Sequence, residues 1–219
     1  MERLRQSPVT LILFGINLAF FLIEEIFRIF FDSSLFPVMA LSREGFSEGG
    51  WWQLMTHGFL HGNLFHLIVN MVALWFTGPL LEELLGGWRY LGLYFGGIVA
   101  GGLLQTFSSA ESIDLVGASG AVCALLVGFA TLLPRLEITA LIFFVIPVRM
   151  KAATLGWLIV GVSILFWAFG IEPGIGHLAH LGGAVAGFVI CLTYRKLGLA
   201  RPLTRSLRRS RRSDEIGGK

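Results

Sequence analysis

Gly117-Ala118-Ser119-Gly120-Ala121, followed without a break by the apolar run Val122 to Leu133, is the stretch on which the reading of this chain turns. The run is apolar enough for a membrane helix. Its opening residues are small enough for other backbones to touch, and one carries a hydroxyl. Ser119 then falls at or just inside the first helical turn, where unpaired N–H groups and the positive end of the helix dipole favour a developing negative charge. That setting suits a nucleophile. Gly, Ala and Ser are also the ordinary small residues of packed membrane helices, so these five residues fit simple packing equally well. A partner base decides between the two.

The surroundings are those of a membrane protein. The 219 residues are 55% hydrophobic and 14% charged, with mean hydropathy +0.75, far too apolar for a soluble domain of this size. The expected fold is all-α: a polytopic bundle of six transmembrane helices over residues 9–195, with a short basic segment 1–8 before it. A basic tail, 196–219, is expected to be disordered. The net charge of +3 is concentrated in that tail, so it speaks to membrane orientation and not to a nucleic-acid surface. Cys123 and Cys191 both lie in apolar segments and suggest neither a disulfide nor a metal framework. The apolar run after Pro8 is too long for a signal-peptide core and reads as a retained first helix.

Taken in order, the first span is Val9 to Phe31, with a Glu24 to Arg28 pairing expected at i,i+4. Residues 32–56 read as a long external loop carrying the Trp51-Trp52 pair. The second span, His57 to Phe76, holds His57, His61, Asn63, His66 and Asn70, and polar groups at membrane depth demand partners or a water-filled cavity. The third, Tyr90 to Phe107, carries Gly92-xxx-Gly96 and Gly97-xxx-Gly101, and the fourth, Ser119 to Leu133, repeats Gly120, Ala124 and Gly128 along one face. Ile138 to Ile146, closed by Pro147, is too short to cross about 30 Å of hydrocarbon and is expected to be re-entrant or interfacial. The fifth span is Ala152 to Phe169. The sixth, Ile175 to Tyr194, carries His177, His180 and Gly183-xxx-Gly187. Arg3, Arg5, Arg89, Arg135, Arg149, Lys151 and the tail fall on one side of this topology. Arg43 falls on the other with most of the loop acids, so both termini are expected to be cytoplasmic.

Ser119 and His180 then lie near the outer ends of their spans, at matching depth. Histidine, with an unperturbed pKa of about 6.5, is the side chain best suited to take a serine proton near neutrality. Gly183 and Gly187 can pack on Gly120, Ala124 and Gly128 and bring the two together. No acidic third member is evident; Asp114 belongs to the preceding loop. His66 and Asn70 share a face at i,i+4 and can stabilise an oxyanion together with the Ser119 N–H. On a continuous helix His66 is rotated about 140° from His61, which disfavours one shared metal or haem site.

These residues resemble the rhomboid intramembrane serine proteases. Gly117-Ala118-Ser119-Gly120 resembles the nucleophile motif, Ala179-His180-Leu181-Gly182-Gly183 the base motif, and His61-xxxx-His66-xxx-Asn70 the second-helix motif. Gly78-Pro79-Leu80-Leu81-Glu82 with Gly87-Trp88-Arg89-Tyr90 resembles the connection between spans two and three. The resemblance implies a six-helix bundle with an outward-opening aqueous cavity. In it, Ser119 and His180 cleave transmembrane protein substrates, His61, Gly117, Gly120, Gly183 and Gly187 support the site, and no cofactor or metal is used. It also implies an integral protein of a bacterial or archaeal cell membrane. The family's residue four beyond the nucleophile is commonly an aromatic stacked on the histidine; here it is Cys123. Two other classes are weighed: a catalytically silent member that binds membrane proteins, and a histidine-lined transporter or haem protein. The natural substrate and the oligomeric state are not legible.

Overall fold

The computed structural model describes residues 7–108, 114–142, 146–171 and 175–201. The expectations for residues 1–6 and for the tail beyond 201 lie outside the described residues. Six long helices carry the architecture: α1 (Pro8–Phe30), α2 (Leu64–Leu85), α3 (Gly87–Ser108), α4 (Ser119–Leu132), α5 (Ala152–Phe169) and α6 (His177–Lys196). All but α4 have 18 to 23 residues and are apolar enough to cross a membrane. The chain is a polytopic, mostly helical membrane protein. α4, with 14 residues, measures about 21 Å, less than the hydrocarbon thickness. It is the centre of the bundle, buried along nearly all its length and packed by α2, α3, α5 and α6.

α1 shows how such helices are specified. Pro8 stands where the first turn needs no N–H. Thr10, Leu13, Asn17, Phe21 and Glu24 form one inward stripe, while apolar residues such as Ile12 and Leu22 face outward, as expected of a helix in lipid. Its first turn is completed from another helix. The Glu82 carboxylate of α2 accepts the Val9 N–H at 3.0 Å, the Thr10 N–H at 2.8 Å and the Thr10 hydroxyl at 2.8 Å. Asn17 donates to the Tyr94 hydroxyl at 3.0 Å and ties α1 to α3.

The α3/α4/α6 core depends on close backbone approach. A Cβ on Gly97 would lie 2.5 Å from the Ala124 Cβ, one on Gly101 2.6 Å from the Ala179 carbonyl oxygen, and one on Gly182 2.6 Å from the Ala100 oxygen. On Gly183 and Gly187 it would run into the Gly120 and Ala124 carbonyls of α4. Small residues here let dispersion contacts and backbone surfaces replace the hydrophobic drive that lipid does not supply.

The structure differs from the sequence expectations at several places. The second helix begins at Leu64, because Asn63 accepts the His66 N–H at 2.8 Å and caps it, and it continues through Pro79 to Leu85. His57 therefore sits in a separate 3₁₀ turn (His57–Phe59) and His61 in the connection after it. Gly78 to Glu82 is helix, not a link. The link to α3 is Gly86, whose φ of +76° ends α2 sharply. Residues 32–56 hold three short helices, Phe36–Met39, Arg43–Ser47 and Gln53–Thr56. Arg28 pairs with Glu25, not Glu24. Glu24 lies on the buried stripe and instead accepts from the Ser34 hydroxyl at 2.7 Å and the Leu35 N–H at 2.8 Å. Among the described residues, the stretch expected to be re-entrant or interfacial contributes to two extended strands, β1 (Glu137–Ile142) paired antiparallel with β2 (Ile146–Lys151), in register from Glu137 with Lys151 to Ile142 with Ile146. Pro147 lacks the N–H that a helix would use, and β-branched residues such as Ile138, Thr139 and Val148 favour the extended form. Past α6, Arg201 N–H returns to the Leu84 carbonyl at 2.7 Å, so the tail is anchored at its start.

Candidate active site

Ser119 is the first residue of α4 and is half-buried. Its preceding residue, Ala118, offers no side-chain cap, so among the described residues the first-turn N–H groups have no intrahelical or capping partner. Gly117, two residues earlier, has φ +120°, a conformation that other residues rarely adopt, and a Cβ there would lie 2.5 Å from the His66 ring. The ring of His66 thus rests on the loop that delivers Ser119. The loop is pinned by its backbone: the Gly117 N–H donates to the His57 carbonyl at 2.9 Å, and Leu115 exchanges two hydrogen bonds with Leu41.

His180 lies in the first turn of α6, half-buried, with its N–H on the Gly176 carbonyl. Because Gly183 faces Gly120 and Gly187 faces Ala124, the turn bearing His180 lies beside the turn bearing Ser119. His66 is within electrostatic reach of the His180 ring. Among the described residues, no hydrogen bond joins the Ser119 hydroxyl to His180. Asn70 is buried and donates to the His66 carbonyl at 3.0 Å, one turn along α2.

The other histidines occupy distinct positions. His61 is buried, its ring set edge-on to His66 with centroids 5.2 Å apart, because the chain turns between them. The continuous helix from His57 through Asn70 on which the rotation of about 140° rests is not formed. Burial and the neighbouring His66 lower the His61 pKa to about 4. His57, also lowered to about 4 by burial, donates from Nδ1 to the Gln53 carbonyl at 2.7 Å and supports the Gly117 loop from below. Among the described residues no group of three His, Cys, Asp or Glu side chains is disposed to hold a metal. Cys123 is buried against Val127 and Ala184. The aromatic neighbour of His180 is His177, its ring edge-on at 6.0 Å, itself held by its Nε2 donating to the Ile171 carbonyl at 2.8 Å and by Phe166 of α5.

Two supporting residues escape a reading of the sequence. Gln105 of α3, buried, accepts the Ala179 N–H at 3.2 Å and so steadies the first turn of α6. Gly102 lets His57 approach α3, with a Cβ there 3.0 Å from the imidazole. A glutamine one turn beyond a glycine stripe is the only signal that hints at the first.

The Rhomboid domain model matches residues 48–197, an interval that contains Ser119, His180, His66 and Asn70. The chain is 31% identical over 145 residues to the Rhomboid protease GluP of Bacillus subtilis, covering 65% of this chain and 26% of that protein. To the Rhomboid protease GlpG of Photorhabdus laumondii it is 33% identical over 145 residues, 64% of this chain and 46% of that protein. To that of Pectobacterium atrosepticum it is 26% identical over 200 residues, 90% and 67% respectively. RHOMBOID-like protein 4 of Arabidopsis thaliana is 33% identical over 139 residues, and the match covers only a third of it. In most of these matches the chain spans from a quarter to a half of the relative's length. With a family model covering well over half of it, the chain belongs to the rhomboid family.

Proposed function

We propose that this chain is an intramembrane serine endopeptidase that cuts transmembrane segments of other membrane proteins, with Ser119 as nucleophile and His180 as general base. The observation that carries the reading is the uncapped start of the short helix α4, which presents Ser119 and free N–H groups beside the first turn of α6 with the His66 ring against the same loop. The membership of the family, and the name protease borne by relatives such as GluP and GlpG, support the class of reaction.

The chemistry balances with peptide and water alone. Ser119 Oγ attacks the scissile carbonyl carbon while His180 takes its proton. The resulting oxyanion receives hydrogen bonds from the Ser119 N–H, His66 and Asn70. Collapse expels the amine, to which His180 returns the proton, and leaves an acyl ester on Ser119. Water, deprotonated by His180, then frees the carboxylate and restores the hydroxyl. The Ser119–His180 hydrogen bond forms as the substrate seats, as catalytic bonds often tighten only in the complex. Because α4 is shorter than the membrane is thick, at least one of its ends lies inside the hydrocarbon boundary, and the site is reached from the face opposite the basic loops. In this reading the protein resides in a cell membrane with both termini in the cytoplasm.

The test is labelling of the detergent-solubilised protein by a fluorophosphonate, with Ser119→Ala as control. Labelling of the native chain alone is expected. An unlabelled native chain that also fails to cut any single-span substrate would leave a silent, substrate-binding member as the function.

A further inference from the structure

The seam where α5 meets α4 and α6 is packed near its middle, where Cys123, Val127 and Ala184 meet Ile159 and Val160. From there a groove of about 480 Å³ runs on, walled by Val127, Val160, Ala184 and Phe188 and ending at Thr131 and Arg195. We propose that this groove is a binding site for one anionic phospholipid, its acyl chain lying along α6 and its phosphate on Arg195.

Length supports this occupant. From Ala184 to Arg195 along α6 is about 16 Å, close to half of the roughly 30 Å hydrocarbon thickness, so the groove has the span of one leaflet. A protein helix crossing the membrane would need a groove about twice that length. Charge supports the headgroup. Arg195 is exposed and commits one hydrogen bond, at 3.2 Å, to the Thr131 carbonyl, which fixes the guanidinium at the mouth with further donors to spare. Lys196 follows it, Arg135 stands just past α4 and Lys151, opposite Glu137 in the β1–β2 register, immediately precedes α5. Basic pockets between helices at this level favour anionic headgroups; a zwitterionic lipid would set its own cation against Arg195. The site is independent of the catalytic reading, since no groove residue belongs to the proposed machinery.

The full-length protein is purified in mild detergent, equilibrated with equimolar phosphatidylglycerol and phosphatidylcholine of identical chains, and examined by native mass spectrometry. One phosphatidylglycerol should be retained, favoured about fivefold or more over phosphatidylcholine, as expected for one cation at the surface. Arg195→Gln should bring the ratio to parity with the lipid still bound. Val160→Trp, or Ala153→Leu should the former fold poorly, should lower retention of both lipids. Equal retention by the native chain, a ratio untouched by Arg195→Gln, or a photo-crosslinker at Phe188 capturing protein in place of lipid would each overturn the assignment.

Discussion

At the scale of single residues, the proposed pair makes the sharpest demand. Ser119→Ala and His180→Ala should each abolish cleavage of a single-span substrate, and the double variant should be no slower than either, because a nucleophile and its base act as one unit. Additive losses in single-turnover rates would dissolve the pair. As His180 must be neutral to accept the proton, kcat/KM should fall about tenfold per pH unit below its pKa in the free protein; a chemistry-limited rate with no acid limb at any pH at which the protein stays folded would remove it as base. Gly117→Ala should cost activity more than tenfold while the protein still inserts, since it sets both a φ of +120° and the His66 ring against a new methyl. Wild-type turnover in that variant would show that the loop's shape is immaterial. The position of Ser119 at the start of a short apolar helix is legible in the sequence because small residues and an apolar run suffice to signal it. Gln105 and the edge-on pair His61 and His66 are not, as both arise from where the chain turns, and no local pattern records that.

At the scale of elements, the contact of α4 with α6 is set by glycines that face backbone and not flexible side chains. Gly183→Val and Gly187→Val should therefore lower both activity and the thermal midpoint in micelles. Gly161→Ala, which meets nothing within 4 Å, should leave both near wild type and serves as the control. His57 and His61, outside the long helices, have pKa values lowered from 6.5 to about 4. The folded state then binds fewer protons than the unfolded one between those values, so stability is complete above about 6.5 and declines as the pH falls toward 4. A thermal midpoint constant from pH 7 to pH 4.5 would contradict this. Helix positions follow from apolar runs, whereas the start of α2 turns on one cap at Asn63, and the β1–β2 pair on Pro147 and β-branched residues in a stretch whose hydropathy resembles a helix. Length excluded a spanning helix there without revealing paired strands.

At the scale of the whole molecule, the proposed reaction constrains its substrate, because a peptide carbonyl in an intact helix is bonded to an N–H four residues on. Cleavable segments should need helix-weakening residues near the face opposite the basic loops. Replacing these with Leu in a model substrate, at constant insertion, should abolish turnover; cutting mapped to the basic side would invert the proposed orientation. The bundle's helix count is legible from hydropathy, but its joinery is not, and the Glu82 carboxylate on the first turn of α1 illustrates the difference, since its partners Val9 and Thr10 lie more than 70 residues earlier. This contact has a consequence for biosynthesis. α1 leaves the ribosome before α2, yet its opening turn is completed only when the far end of α2 has been made and has crossed back, so the earlier segment must wait, unfinished, for the later one. A nascent chain halted before Glu82 would hold α1 with its first N–H groups unanswered, and the first two spans should become resistant to protease together, as a pair.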